Sequence, residues 1–237
     1  GTVMLNSNWC INIDSSTYAE TVTISSLTFA YSTNTFTIQS DPALVSTRTT
    51  INPPKPSTAA FYILSSNVNI FGVNIISTNT VQAGVAVSSS YVTISSVSIQ
   101  DNAGMIWGAG ISAAGWTTVS YTSMTLSRTG VTGFFLLNST MTAIFNSTAA
   151  VNDAFAIGVY LSGASSNTFT NIFSRNPSGA SFQFNTGSNY NTISLSTITG
   201  NSGGFGALNI YGASANTVTR SYIGDSIIGE NVNIGGG

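Results

Sequence analysis

Residues 92–99 read Val-Thr-Ile-Ser-Ser-Val-Ser-Ile, and residues 22–29 read Val-Thr-Ile-Ser-Ser-Leu-Thr-Phe. Apolar and polar residues alternate in both stretches, as they do in strands with one buried face. Weaker copies of the same pattern follow at intervals of about 25 residues. Self-similarity at such a fixed period is typical of solenoids. The two stretches therefore predict a coil of short strands that repeats along the chain.

Apolar residues recur once per repeat in three columns, which we expect to face a common core when the repeats stack. The first column contains Ile70, Ile94, Val119, Met141, Phe169, Ile193 and Val218. The second, five residues later, contains Ile75, Ile99, Met124, Ile198 and Ile223. The third contains Leu64, Val87, Ile111, Leu161, Phe184 and Ile210. No stretch has a helical period, so the pattern predicts almost no helix.

The residues between the strands predict how the coil turns. A glycine precedes the third column in several repeats, where a turn that needs positive φ tolerates it. These glycines are Gly84, Gly110, Gly158 and Gly206. Asn167, Asn191 and Asn216 precede the first column at intervals of 24 and 25 residues. Stacked one coil apart, their amides are expected to form a structural ladder of hydrogen bonds.

The sequence Gly158–Leu161, followed by Asn167–Phe169 and Asn171–Ile172, resembles the repeat of right-handed parallel β-helix proteins. These proteins form the pectin-lyase-like superfamily and include NosD-type repeats. The resemblance implies an all-β fold, a single-stranded right-handed parallel β-helix (a β-solenoid) of about nine coils. An antiparallel sandwich is the alternative for short alternating strands. The superfamily includes lyases, hydrolases, esterases, tailspikes and adhesins, so the fold alone does not define the function.

The whole chain, residues 1–237, is interpreted as a single β-helix domain. Residues 1–56 are expected to form irregular first coils or a cap, because prolines interrupt them, and residues 57–234 the regular coils. The prolines are Pro42, Pro53, Pro54 and Pro56. Asn231–Ile234 predicts the start of a further strand. The chain is therefore interpreted as a fragment of a longer protein or as a filament subunit that stacks end to end.

Six polar residues recur with nearly the same period and are expected along one corner of the coil. They are Asp101, Arg128, Asp153, Arg175, Asn201 and Asp225. One hypothesis is a ladder of compensating charges, since neighbours one coil apart attract. The other is a binding groove in which these side chains hydrogen-bond the hydroxyls or carboxylates of a polysaccharide.

Charged and metal-binding residues are scarce throughout the chain. Only 5% of its 237 residues are charged, the net charge is −2 and there is no histidine. No basic run is present, so nucleic acid and anionic membranes are not expected partners, and no apolar stretch is long enough for membrane insertion. Cys10, the single cysteine, is expected to be a small buried residue. The sequence predicts neither a metal site nor a cofactor.

Catalytic clusters of the superfamily are also missing. Gln82-Ala83 and Gln100-Asp101 look like motifs of pectin methylesterases, a resemblance that implies Asp101 as general acid with Gln82 and Gln100 assisting. That family has a second aspartate about twenty residues later, where Ser120–Ser123 stand in this chain. The other acidic residues are isolated in sequence, which disfavours paired-carboxylate chemistry. The sequence therefore predicts no catalytic residue, and an enzyme is the less favoured interpretation.

Two further surfaces are defined by outward positions. Six repeats carry a Thr-x-Thr or Thr-x-Ser pair beside the first column. These pairs either reflect the preference of threonine for strands on the solvent-exposed face of a sheet or form an ice-binding face. These pairs are Thr93/Ser95, Thr118/Ser120, Thr140/Thr142, Thr168/Thr170, Thr192/Ser194 and Thr217/Thr219. The tryptophans and tyrosines do not share one column, so they are not expected to form an aromatic platform.

The leading hypothesis is a non-catalytic extracellular or cell-surface protein, either a rod, an adhesin segment or a filament subunit. It depends on the missing catalytic clusters and the nearly uncharged surface. The alternative is a carbohydrate-binding or carbohydrate-active module that uses the charged corner. Ice binding is a minor alternative.

Overall fold

The chain folds into a stack of coils, each of which adds one strand to each of three parallel sheets. The computed structural model describes residues 2–43, 48–201, 206–225 and 232–235. In these ranges all regular elements are strands. None of these residues belongs to a helix, so none forms a helix that spans a membrane. Nine coils follow one another, which confirms the predicted β-solenoid.

The three sheets are named I, II and III in the order in which each coil visits them. Sheet I contains β2 (Trp9–Ile13), β6 (Phe36–Ser40), β9 (Val68–Phe71), β12 (Val92–Ser95), β15 (Thr117–Ser120), β18 (Ala143–Phe145), β21 (Thr168–Thr170), β24 (Thr192–Ser194) and β27 (Thr217–Thr219). Sheet II contains β3 (Thr17–Tyr18), β7 (Thr50–Ile51), β10 (Asn74–Ser77), β13 (Ser98–Asp101), β16 (Ser123–Leu126), β19 (Thr148–Val151), β22 (Phe173–Asn176), β25 (Thr197–Gly200) and β28 (Tyr222–Asp225). Sheet III contains β4 (Val22–Ile24), β8 (Ser57–Ile63), β11 (Val81–Val87), β14 (Ile106–Ala113), β17 (Thr132–Leu137), β20 (Ile157–Ser162), β23 (Phe182–Phe184), β26 (Leu208–Tyr211) and β29 (Val232–Gly235). A separate pair joins β1 (Val3–Leu5) to β5 (Leu27–Phe29).

Stacked columns of inward side chains fill the interior between the three sheets. On sheet I, Ile94 is aligned with Val119, and both are buried. On sheet II, Ile75, Ile99 and Met124 are aligned as the sequence predicts. Each large aliphatic side chain removed from water in this way contributes about 1.5–3 kcal/mol. The contacts between coils therefore stabilise the fold, and no coil has a core of its own.

The sequence prediction is wrong at one coil of sheet I. It assigned Met141 to the inward column, but Ile144 lies there, aligned with Val119 and Phe169. Ile144 is 1% exposed, whereas Met141 is 56% exposed. Parallel strands pair residue by residue, and Ile144 keeps the interval to both neighbours at 25 residues. Met141 would have made the two intervals unequal.

The predicted column of sheet III is displaced at two positions. The register aligns Ile63, Val87 and Ala113. Leu64 follows the last residue of β8 and is exposed, while Ile111 is buried at the preceding inward position. Side chains alternate between the faces of a strand, so an error of one residue moves a side chain from the core to the surface.

Glycines on sheet III are needed for close packing of the coils and not for positive φ. Gly84, Gly110 and Gly158 lie inside strands and do not have positive φ, so the prediction that they occupy turns is wrong. Of the four glycines, only Gly206 has the predicted conformation, at φ 70°. A Cβ on Gly84 would lie 2.8 Å from the carbonyl oxygen of Gly110. A Cβ on Gly133, which lies in the coil after that of Gly110, would be 2.3 Å from the carbonyl oxygen of Gly158. The glycines therefore leave room for the backbone of the following coil.

The turn from sheet I to sheet II places one residue in the left-handed region in each of seven successive coils, from the third coil onward. Gly72 has φ 66°, and Ser96 in the next coil has φ 55°. The N–H of Ser96 donates to the carbonyl of Ser120 one coil further on, at 3.0 Å. Five later coils use the same conformation, at Tyr121, Asn146, Asn171, Leu195 and Arg220. The corner is therefore part of the hydrogen-bonded stack.

Strand pairing in the three sheets begins within the first 56 residues, at β2, β3 and β4. Pro42 follows β6, and Pro53, Pro54 and Pro56 lie in the connection from β7 to β8. Cys10 on β2 is exposed, which contradicts the prediction that it is buried. Its neighbour Ile11 is aligned with the buried Ile38, so Cys10 occupies an outward position opposite Thr37.

Candidate functional site

The predicted charged row follows the corner between sheets II and III but does not form one column. It consists of Asp101, Arg128, Asp153, Arg175, Asn201 and Asp225. Asp101 is the last residue of β13, Arg128 lies two residues beyond β16, and Arg175 lies inside β22. The turns between sheets II and III differ in length, so a constant spacing in sequence does not give a constant register. The expectation of one aligned side chain per coil is therefore wrong.

Asp101 and Arg128 hold together the turns of two adjacent coils. The Asp101 carboxylate accepts hydrogen bonds from the backbone N–H of Ile106, at 3.1 Å, and of Ser127, at 3.4 Å. The Arg128 guanidinium donates to the Gly104 carbonyl at 2.8 Å. Asp101 and Gly104 belong to one coil, and Ser127 and Arg128 belong to the next. Both charged side chains therefore bind backbone groups across the coil boundary.

Asp153, in the coil after Arg128, binds its own turn and the turn of the preceding coil. Its carboxylate accepts from the Phe155 N–H at 2.8 Å, the Thr129 hydroxyl at 3.0 Å and the Gly130 N–H at 3.3 Å. Partial burial raises the pKa of Asp153, but hydrogen bonds from Phe155, Thr129, Gly130 and Ala156 lower it, and the net pKa lies below the ordinary value. Asp153 therefore stays ionised at neutral pH and is unsuited to act as a general acid.

The remaining members of the row do not complete a charge ladder. Arg175 is exposed on the outer face of sheet II. The Asn201 backbone N–H donates to the Asn176 carbonyl at 3.0 Å. Asp225 ends β28, and its side chain lies outside the described residues. No ion pair joins any two side chains of the row in the described ranges. The predicted attraction between neighbouring charges is therefore wrong, because the aspartates accept from the nearby turns.

Asn176 is a buried residue at this corner that the sequence analysis missed. Its amide nitrogen donates to the carbonyls of Ala156 at 2.6 Å, Asp153 at 3.0 Å and Ala180 at 3.1 Å. Its side-chain oxygen accepts from the Ser178 N–H at 3.1 Å. The available signal was an amide at an inward strand position, where the two preceding coils have Leu126 and Val151.

The three asparagines expected as a structural ladder stack at the corner between sheets III and I. The Asn191 side-chain oxygen accepts from the backbone N–H of Asn167 at 2.9 Å and from its amide at 3.0 Å. Asn216 accepts from Asn191 in the same way, at 2.9 and 3.1 Å. The Asn167 oxygen accepts from the Thr142 N–H at 2.8 Å, so the stack continues into a threonine. Asn167 and Asn191 are fully buried, which makes this ladder part of the folded core.

A groove crosses the outer face of sheet III, and we call it the aromatic groove. Its volume is about 330 Å³. Its lining consists of Thr58, Tyr62, Gln82, Ala83, Ala86, Ser88, Gly108, Ala109, Ser112, Thr132, Phe135 and Tyr160. Sites that bind small organic molecules have volumes of about 300–1,000 Å³, with apolar walls and a few polar groups. The aromatic groove has both properties.

Two adjacent small residues between large ones in one outward column create the groove. Tyr62, Ala86, Ser112, Phe135 and Tyr160 occupy equivalent positions on five successive strands. The floor at Ala86 and Ser112 therefore lies between aromatic side chains. Three coil steps separate the Tyr62 and Phe135 backbones, which corresponds to about 14 Å.

One wall of the groove is a rigid aromatic pair. The rings of Phe135 and Tyr160 stack with centroids 5.5 Å apart and an angle of 8° between their planes. The Asn185 amide donates to the Tyr160 hydroxyl at 2.7 Å and holds this ring in place. The sequence prediction concerned only tryptophans and tyrosines, so it did not include the pairing of Tyr160 with a phenylalanine. Tyr91 and Trp116 contact each other at another corner, with ring centroids 5.1 Å apart, but the tryptophans and tyrosines as a set do not share one column.

The residues that resemble pectin methylesterase motifs are divided between sheets II and III. Gln82 lines the aromatic groove on sheet III. Gln100 lies on the outer face of sheet II, and Asp101 supports the adjacent turn. No hydrogen bond joins the side chains of the described residues Gln82, Gln100 and Asp101, so the assistance that the resemblance implies is not observed.

The threonine face of sheet I is interrupted in its middle coil. Thr118 and Ser120 on β15 are followed on β18 by Ala143 and Phe145, and not by the predicted pair of threonines. Thr142 is instead buried below the asparagine ladder. The bulky Phe145 ring breaks the regular array of hydroxyls and methyls that an ice-binding face requires.

Three stacked parallel sheets with one strand per coil define the class of β-solenoid proteins. A family model described as "Right handed beta helix region" matches residues 9–171, and the chain belongs to this family. No curated protein matches the chain. A solved structure of endopolygalacturonase I from Stereum purpureum, complexed with two galacturonate, is similar over 94% of this chain and 92% of that chain. The two share 15% sequence identity with a TM-score of 0.30.

Proposed function

We propose that the chain is a non-catalytic carbohydrate-binding β-helix protein and that the aromatic groove is its binding site. The observation that supports the proposal is the open floor between Tyr62 and the Phe135–Tyr160 pair. Sugar rings have faces of C–H groups that pack on aromatic rings, and an aromatic pair already held in place loses little entropy on binding. The groove therefore has the shape and the surface to hold a short stretch of polysaccharide.

Polar groups at the groove suit the hydroxyls of a sugar. Gln82, Ser112 and Thr58 line it with an amide and two hydroxyls, which both donate and accept hydrogen bonds. None of the three makes a side-chain hydrogen bond to another described residue, so a bound sugar does not have to replace one. This differs from the charged row, where Asp101, Arg128 and Asp153 are engaged in the turns.

The absence of paired acids supports binding without catalysis. Hydrolysis of a glycosidic bond by most glycosidases uses two carboxylates on either side of the bond. The groove lining contains no carboxylate, and in the described part of the chain no three Asp, Glu, Cys or His residues lie close enough together to hold a metal. The hydroxyls and the amide that remain are suited to recognition.

Binding to a panel of neutral and acidic oligosaccharides tests the proposal. We expect at least one member to bind, and the Tyr160→Ala variant to bind it at least about fivefold more weakly, since loss of a stacked ring removes about 1–2 kcal/mol. The Tyr211→Ala variant is the matched control, because Tyr211 is an exposed tyrosine of sheet III outside the groove. Equal loss in both variants, or no binding by any member, would overturn the proposal.

The extracellular or cell-surface location and the end-to-end association into fibres are further parts of the proposal. They are supported by the scarcity of surface charge and by the resemblance to the superfamily. Electron microscopy of the purified protein tests the association directly. Fibres with a repeat of whole coils are expected, and dispersed particles at all concentrations would contradict this part.

A further inference from the structure

The strands of sheet III contain no charged residue, a property that they share with sheet I but not with sheet II, which carries Asp101, Arg175 and Asp225. None of the nine strands from β4 to β29 in this sheet contains Asp, Glu, Lys or Arg. The lining of the aromatic groove is also free of these residues. Any ligand in the groove therefore meets only aromatic rings, small side chains, hydroxyls and one amide.

The few cations of the chain lie elsewhere. Arg48 donates to the Ser96 carbonyl at 2.8 Å, and Arg128 donates to a carbonyl at the corner between sheets II and III. Arg175 is on sheet II, and Arg220 is at the corner between sheets I and II. Lys55 is exposed in the connection to β8 and does not line the groove. No cation is therefore available to pair with an anion on the groove floor.

The absence of charge in the groove lining favours neutral over acidic sugars. An anionic carboxylate that loses water in an apolar groove needs a cation or several hydrogen-bond donors to compensate. The groove offers amide and hydroxyl groups, which pair well with sugar hydroxyls but poorly compensate a full charge. The net charge of −2 on the protein adds a weak repulsion of anions.

We infer that the aromatic groove binds an uncharged saccharide and discriminates against uronates. The inference rests on the proposed function and assigns its ligand class. The distance of about 14 Å between the Tyr62 and Phe135 backbones leaves space for about two sugar rings on the floor at Ala86 and Ser112. Gln82 supplies the amide that hydrogen-bonds their hydroxyls.

The experiment uses pairs of hexasaccharides that differ only in the oxidation of C6: glucose and glucuronate, galactose and galacturonate, mannose and mannuronate. In at least one pair we expect the neutral member to bind at least about tenfold more tightly than its uronate. Binding of the neutral member is expected to change less than twofold between low and high salt, because no charge is involved. The Gln82→Lys variant, which places a cation in the groove, is expected to lower the ratio of neutral to uronate affinity at least about fivefold. The Lys55→Gln variant is expected to leave this ratio unchanged.

The outcomes separate the inference from the proposed function. Equal or tighter binding of the uronate in every pair that binds would overturn the inference and leave carbohydrate binding intact. A uronate affinity that is lost in Lys55→Gln would also overturn it, by assigning recognition to that cation. Failure of all six hexasaccharides to bind would overturn the proposed function and the inference together.

Discussion

The corner between sheets II and III and the aromatic groove on sheet III belong to the same coils but use polar residues in opposite ways. At the corner, Asp101, Asp153 and Asn176 hydrogen-bond backbone groups of their own and neighbouring coils. In the groove, Gln82 and Ser112 face solvent beside aromatic rings. The comparison shows that charged residues with a regular sequence period can be engaged by the turns, whereas the polar side chains of the groove are not.

The largest effect is expected for Asn176→Ala, which tests whether the corner is structural. The change leaves the buried carbonyls of Ala156 and Ala180 without their donor, so we expect a loss of about 3 kcal/mol in the free energy of unfolding. Chemical denaturation measures it, with sugar binding as the second readout. Asn152→Ala is the matched control, since Asn152 is exposed at the same corner and accepts one hydrogen bond from Ser178.

Below its unfolding temperature the Asn176→Ala variant should bind sugar as the wild-type protein does. A variant as stable as the wild type would show that the corner is not structural. A stable variant that has lost binding would move the site from the groove to the corner.

Filling the groove is expected to have the next largest effect. Ala86→Phe places a ring on the floor between Tyr62 and Phe135, and sugar binding should weaken at least about tenfold while stability changes by less than about 1 kcal/mol. Ala150→Phe introduces the same ring on the outer face of sheet II and serves as the control. Undiminished binding in Ala86→Phe would contradict the assignment of the groove.

Asp153→Asn is expected to change stability in a pH-dependent way. The folded-state pKa of Asp153 lies below its ordinary value, so its stabilising contribution is present above the unfolded pKa of about 3.9 and is lost as pH falls towards the folded value. We expect the variant to be about 1 kcal/mol less stable at pH 7. Urea denaturation at pH 7 and about pH 3 measures the difference, which should shrink at the lower pH. A difference independent of pH would refute a role for the ionised carboxylate.

The smallest effect is expected for the arginines of the charged row. Arg128→Ala removes one exposed hydrogen bond and Arg175→Ala removes an exposed side chain, so each should lower stability by less than about 1 kcal/mol. Glycan binding should change less than twofold in the double variant. A clear loss of binding would instead support the charged row as the binding surface and would break the comparison.

Sequence alone predicts the fold because the stacked columns repeat the same chemistry in every coil. Ile75, Ile99 and Met124 align as expected, and Asn167 and Asn191 stack because one amide supplies both the donor and the acceptor for the next. The errors arise where a coil departs from the repeat. The shift from Met141 to Ile144, for example, follows from the register of the neighbouring strands, which the residue pattern of one coil does not specify.

The candidate site was not predicted because it depends on departures from regularity. Ala86 and Ser112 matter only as gaps between aromatic neighbours one or two coils away, and such a gap appears when the outward column of sheet III is known. The charged row looked like a site because a sequence period does not say whether Asp153 is free or bound to its own turn. Only the hydrogen bonds at the corner show that Asp153 is engaged by the turns.

The addition of one strand per coil to sheet III has a consequence for the length of any ligand. The two walls of the groove belong to different coils, so their separation changes only in whole steps of about 4.8 Å. Loss or duplication of a complete coil between β8 and β17 would shorten or lengthen the groove by one such step, with strand register preserved. The length of the groove is therefore set by the number of coils between its aromatic walls. Related chains with more or fewer small residues between the rings are expected to select longer or shorter oligosaccharides.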